Sequence, residues 1–210
     1  MKFEELDSFR IAYDRLILIE RKDDLVGKIT KKLQDHNGFV AYGYVDHIKG
    51  FIYVLLYKAS ISAGDGRVKF YEMEDSGNVY IPAAEIPDEN IIVLDPVKLA
   101  WANDLASEKI AAIREKYKDD PYREMRDRRD LDKYRNNYYP DAIECLVRKD
   151  IGDKVIAGYY HVLLQELNGK SFSGQLLQSV DPRFGIDEGD YVNGELSFLD
   201  GEENAPVIDL

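Results

Sequence analysis

Apolar positions along the chain follow two periods, and the switches between them outline the elements. Residues 3–20 end in Leu16-Ile17-Leu18-Ile19, a short β-branched run that suits a buried strand, with a helical start through Phe9 and Tyr13 as the other reading. Asp24 then caps a helix in which Leu25, Ile29 and Leu33 recur at helical spacing, and His36-Asn37-Gly38 supplies its stop. From Phe39 the texture becomes aromatic and β-branched, in runs at 39–45, 51–57, 68–73, 79–81 and 91–94. Lys49-Gly50, Gly64-Asp65-Gly66 and Asp75-Ser76-Gly77 separate these runs with turn chemistry. Connections this short favour antiparallel neighbours, because parallel ones need longer crossovers.

Asp95-Pro96 pairs a cap with proline at the first helical position, and Leu99, Asn103, Ala106, Ile110, Ile113 and Tyr117 form the stripe of a long amphipathic helix. Asp120-Pro121 opens a second segment, in which Tyr122, Met125 and Tyr134 are sparse among alternating charges, as in an exposed helix or a linker. Strands resume beyond Pro140, at 143–148, 155–167, 171–180 and 191–199, with Asn168-Gly169 as a hairpin signal. The acidic tail, 201–210, is expected to be loose. The resulting fold class is α+β. An N-terminal α+β unit, with an antiparallel sheet and helices, covers 1–117; a charged helical connector covers 118–139; a small antiparallel β-rich unit covers 140–210 and carries the loose tail.

Composition narrows the function. A chain of 210 residues with 45% hydrophobic and 32% charged side chains buries a core without staples. Its one cysteine, Cys145, sits in an apolar run and has no second thiol to bridge, which suits a reducing compartment. The start, Met1-Lys2-Phe3-Glu4-Glu5, has no apolar leader, and no apolar run approaches the roughly 20 residues that span a bilayer, so a cytoplasmic location without membrane association is expected. The net charge of -12, from 28 basic and 40 acidic side chains, repels nucleic acid and anionic membranes. Even the richest basic stretch, 118–135, balances seven Lys and Arg against six Asp and Glu.

Motif chemistry is sparse. His36, His47 and His161 do not fall at the i, i+4 spacing of paired metal ligands. Gly64-Asp65-Gly66 lacks the Gly-Lys-Ser/Thr end of a phosphate loop, and Ser173 in Phe172-Ser173-Gly174 has half of a nucleophile elbow. Asp119, Asp120, Asp127, Asp130 and Asp132 lack calcium-loop order, and the interleaved Arg123, Arg126, Arg128, Arg129 and Lys133 neutralise them as on a solvated helix face. No metal or cofactor is therefore expected. Tyrosine is abundant, 15 against 8 phenylalanines, and clusters at Tyr42, Tyr44, Tyr53 and Tyr57 and at Tyr138, Tyr139, Tyr159 and Tyr160. Strand packing accounts for the first group, whereas Tyr138 and Tyr139 beside the charged connector suit a protein interface equally well.

Gly158-Tyr159-Tyr160-His161-Val162-Leu163-Leu164, Phe172-Ser173-Gly174-Gln175-Leu176 and Ile186-Asp187-Glu188-Gly189-Asp190-Tyr191-Val192 together resemble a small bacterial domain of unknown function, the YegJ-like family. The resemblance runs from Asp141 to Leu199 and slightly beyond. It implies a small curved antiparallel sheet in which Gly189-Asp190 marks the turn into the last strand, and it supplies no catalytic residue.

The function read from all this is a non-enzymatic, acidic protein-binding module, of an immunity, inhibitor or regulatory kind, that meets a basic protein partner. Tyr138, Tyr139, Arg126 and Arg129 are its partner-binding candidates, and neither nucleic acid nor membrane is a partner. The alternative is a small hydrolase or ligand-binding enzyme with a site assembled from scattered residues, His161, Asp190 and Tyr159 being the constellation to test.

Overall fold

A computed structural model describes residues 1–20, 36–73, 79–94, 100–199 and 201–210, and divides the chain into two compact units, Met1–Asp119 and Asp120–Leu210. The helix expected at 25–33, the turn Asp75-Ser76-Gly77 and the helix start at Asp95-Pro96 lie outside the described residues. The α+β class is corrected: 50% of the chain is strand and 19% helical, so the protein is mainly β, with two sheets.

In the first unit, β1 (Arg15–Glu20), β2 (Gly38–Asp46), β3 (Gly50–Ile61), β4 (Val68–Glu72), β5 (Val79–Pro82) and β6 (Asn90–Val93) form one sheet in the order β4-β3-β2-β1-β6. All pairings are antiparallel, and the 12-residue β3 is long enough to pair β4 along one stretch and β5 along another. Both faces are covered. Leu16, Leu18, Val40, Tyr42, Tyr44, Ile52, Val54 and Leu56 pack with Ala106, Ile110 and Ile113 of α1 (Ala100–Lys116). On the opposite parity, Phe3 from an N-terminal 3-10 turn stacks on Phe51 at 4.5 Å and meets the edge of Tyr53 at 6.0 Å. Burial on both sides explains why β2 and β3 read as continuous apolar runs rather than alternating ones. The long amphipathic helix is corrected with the fold class: α1 is the one described helix of seven residues or more, and among the residues whose side chains are described it buries Ala106, Ile110 and Ile113.

In the second unit, α2 (Arg123–Asp127) and a 3-10 turn precede β7 (Ala142–Ile151), β8 (Lys154–Asn168), β9 (Ser171–Leu176), β10 (Tyr191–Leu199) and β11 (Glu202–Asp209). These five strands close a barrel. Each strand runs antiparallel to the next along the chain, and with an odd number of strands the pair that closes such a meander must be parallel, as β11 and β7 are. Ile143, Cys145, Val147, Val162, Leu164, Phe172, Val192, Leu196 and Ile208 fill the interior, joined by Met125 and Leu131 from the preceding turns and by Phe184 from the 3-10 turn Pro182–Phe184. The tail read as loose is thus the closing strand, with Ala205, Val207 and Ile208 buried. Gly189-Asp190 leads into β10, which is followed by β11 and is not the last strand.

Candidate functional site

From Asp120 on, the charged connector belongs to the barrel unit, and it is less solvated than its charge pattern implies. Arg126 is 3% exposed and forks onto Asp141, Nε to Oδ1 at 2.6 Å and Nη2 to Oδ2 at 2.6 Å, while its Nη1 donates to Asp120. Arg135 donates to the carbonyls of Pro140 and Met125. Arg128 pairs with Asp130 and reaches the Gly169 carbonyl at 3.1 Å, which ties the connector to the β8–β9 hairpin. The reading of Arg126 as a partner-binding residue is corrected: its guanidinium is committed to two internal carboxylates, where burial is tolerable because the charge is paired and its N–H groups bonded. Of the other candidates, Arg129 and Tyr139 are exposed and Tyr138 is half-buried.

Strand alternation sorts the barrel residues. With Cys145, Val162, Leu176 and Val192 inside, residues of opposite parity face outward. Glu144 lies opposite His161, Leu146 opposite Tyr159, and Gln175 opposite Tyr191, and the Leu177 amide bonds the His161 carbonyl at 2.9 Å. Tyr159 at 60%, Leu177 at 40% and Tyr191 at 70% are exposed on this face. Next to Tyr191, the loop ahead of β10 presents Asp187, Glu188 and Asp190 to solvent. His161 Nδ1 contacts Gln178 Oε1 at 3.1 Å, and Asp190 accepts from the Asp187 amide at 2.8 Å. Tyr159 and His161 therefore share one outward face, while Asp190 is held in its own turn, and the structure assembles no acid–base pair from the three. Burial pushes the Cys145 thiol well above its usual range, which leaves it an inert core residue.

A second polar constellation lies in the first unit, where the sequence offered packing tyrosines. Gly43 of β2 is the position that permits it: a Cβ there would stand 2.5 Å from the Ala12 carbonyl oxygen. The chain before β1 thus closes against β2, with the Asp14 amide on the Gly43 carbonyl at 2.9 Å and Asp14 in the left-handed region at φ 55°. Its carboxylate accepts from the buried Tyr42 hydroxyl and from Arg114 of α1, Nε at 2.9 Å and Nη2 at 2.8 Å. Two residues along β2, the Tyr44 and Tyr117 rings meet at 4.8 Å, and the Tyr117 hydroxyl donates to Asp46 at 3.2 Å. Burial foremost raises the Tyr42 and Tyr44 phenols, so both stay protonated, and Tyr42 donates to Asp14.

No protein-family model, no curated protein and no solved structure matches the chain.

These side chains themselves are the guide to function. Among the described residues, no group of three or more His, Cys, Asp or Glu is placed to hold a metal ion, and no helix is long and apolar enough to cross a membrane. What the two constellations offer is acceptors and aromatic rings, which is chemistry for recognising cations rather than anions. Sequence reading singled out Tyr42 and Tyr159 but not their settings. Leu177, Tyr191, Asp14 and Arg114 carried no local signal, because strand pairing and helix docking bring them into place.

Proposed function

We propose that this protein is a non-enzymatic binding module whose barrel docks a basic protein partner on the outward face of Tyr159, Leu177 and Tyr191, in the manner of an immunity, inhibitor or regulatory protein. The observation that carries the reading is the coincidence of exposed aromatic surface with negative charge. Residues 120–210 hold 19 acidic and 11 basic side chains, a net of -8 out of the chain's -12. Glu144 on the barrel wall and Asp187, Glu188 and Asp190 in the loop ahead of β10 lie near the exposed tyrosines in the chain and the ladder. Tyrosine gives a large contact area at little entropy cost, and the acidic rim steers a basic surface toward it.

The test is capture from a native lysate at low and at high salt, with the wild-type chain and with Tyr159→Ala/Tyr191→Ala as bait. A basic protein should be held at low salt, released at high salt, and held at least about tenfold more weakly by the double variant, as removal of interface anchors requires. Retention indifferent to both salt and substitution, or no retained protein, counts against the proposal.

A further inference from the structure

We infer that the turn at Asp14 is a receptor for a guanidinium group, on which an arginine side chain of a second protein docks beside Tyr42 in competition with the chain's own Arg114. This inference concerns the first unit and does not rest on the proposed function of the barrel. Three hydrogen bonds reach the Asp14 carboxylate, one from Tyr42 and two from Arg114, and all fall on Oδ1. A well-seated guanidinium uses both carboxylate oxygens in a parallel fork. Arg114 instead approaches side-on, and Oδ2 takes no hydrogen bond among the described residues. The Arg114 and Asp14 side chains are 59% and 51% exposed, so the carboxylate is open to a second donor.

The surroundings suit the same ligand. The Arg114 guanidinium carbon lies 5.8 Å from the Tyr42 ring centroid, at the outer limit of cation–π attraction, whereas Nζ of Lys116 stands 5.0 Å from the Tyr117 ring nearby. The face thus already holds two of the chain's own cations against phenol rings. Tyr42, a buried phenol fixed by β2, donates to Oδ1 and leaves Oδ2 for an incoming group. Asp14 itself is pinned by its amide bond to Gly43 and by the close approach that a glycine at 43 allows, so little ordering is left for a ligand to impose. An anionic ligand finds acceptors here; an arginine finds an oxygen, a ring and a competitor weak enough to displace.

The experiment titrates the full chain with N-acetylarginine amide and follows the amide signals of residues 12–16, 42–44 and 113–117 by NMR. The neutral isostere N-acetylcitrulline amide serves as comparator. Saturable shifts confined to these signals are expected with arginine and not with citrulline. Arg114→Gln removes the internal competitor and should tighten binding by up to about fivefold, the worth of an exposed ion pair. Asp14→Asn, a residue equally at home in the left-handed region, should abolish binding while the rest of the spectrum is unchanged. Arg114→Gln is a surface change that leaves the core intact, so it keeps the test valid should Asp14→Asn unfold. The Tyr159→Ala/Tyr191→Ala variant should bind the probe as wild type does, which separates this site from the barrel face. Shifts that do not saturate, equal shifts with citrulline, or binding by Arg114→Gln no tighter than wild type would overturn the inference.

Discussion

Ile208→Ala tests whether the last strand closes the barrel or merely follows it. Ile208 is fully buried, packs with the interior residues and pairs with Val147 in the parallel ladder. Truncation removes three carbons, worth about 2.4 kcal/mol at about 0.8 kcal/mol each, and the cavity left behind brings the expected loss to about 3 kcal/mol. At urea slopes of about 1–3 kcal/mol per molar, the unfolding midpoint should fall by roughly 1–3 M. The assay is urea unfolding read from the methyl signals of Val147 and Val192, which lie inside the barrel on different strands. Leu210→Ala, at a position 42% exposed, is the control and should stay within about 0.5 kcal/mol of wild type. A midpoint for Ile208→Ala as close to wild type as that of the control would mean that the strand is dispensable and that barrel closure contributes nothing.

Two further outcomes follow from the ion pairs of the barrel unit. Arg126→Ala leaves Asp120 and Asp141 without their shared cation and should cost about 3–5 kcal/mol, while replacing all three by apolar residues of similar volume recovers most of that loss; thermal melts of both variants decide it. Arg148 donates to both oxygens of Asp209 at 2.7 and 2.8 Å and holds its carboxyl below the usual range. A carboxyl depressed in the folded state stabilises the fold above its unfolded value of about 3.9, and that contribution disappears as pH falls through the lower folded value. Arg148→Gln should therefore move the NMR titration midpoint of Asp209 upward and remove its share of the acid sensitivity; an unmoved midpoint refutes the pairing.

The strands of the first unit were legible because their pattern is local: the runs at 39–45 and 51–57 lie within β2 and β3, and the Lys49-Gly50 signal sits at their turn, where Gly50 has φ 78°. Helices were overweighted, which turned a mainly β protein into an α+β one, since capping signals and a short apolar stripe say nothing of how much sheet surrounds them. β11 escaped notice for another reason. Its run Glu202-Glu203-Asn204-Ala205-Pro206-Val207-Ile208-Asp209 is acidic, with a proline and Asn204 at φ 60°, and it is a strand because it pairs β10 on one side and β7, far back in the chain, on the other. The Arg126 triad was hidden likewise: alternating charges look solvated until Asp141 is folded over them. Asp14, Tyr42 and Arg114 are separated by 28 and 72 residues, and no spacing rule reaches across such intervals.

The parallel seam between β7 and β11 joins the first and last strands of its unit, so the barrel is completed by contacts spanning more than fifty residues. Until Ile208 has emerged during synthesis, β7 has a bare edge and the barrel interior lacks one wall. The first unit, whose described strands all precede residue 94, has its sheet sequence complete long before that moment. Completion of the two halves is thus separated in time, the second being finished only when its last strand has been made. During that interval the half-built barrel offers an unpaired strand edge, a template for aggregation and a target for chaperones.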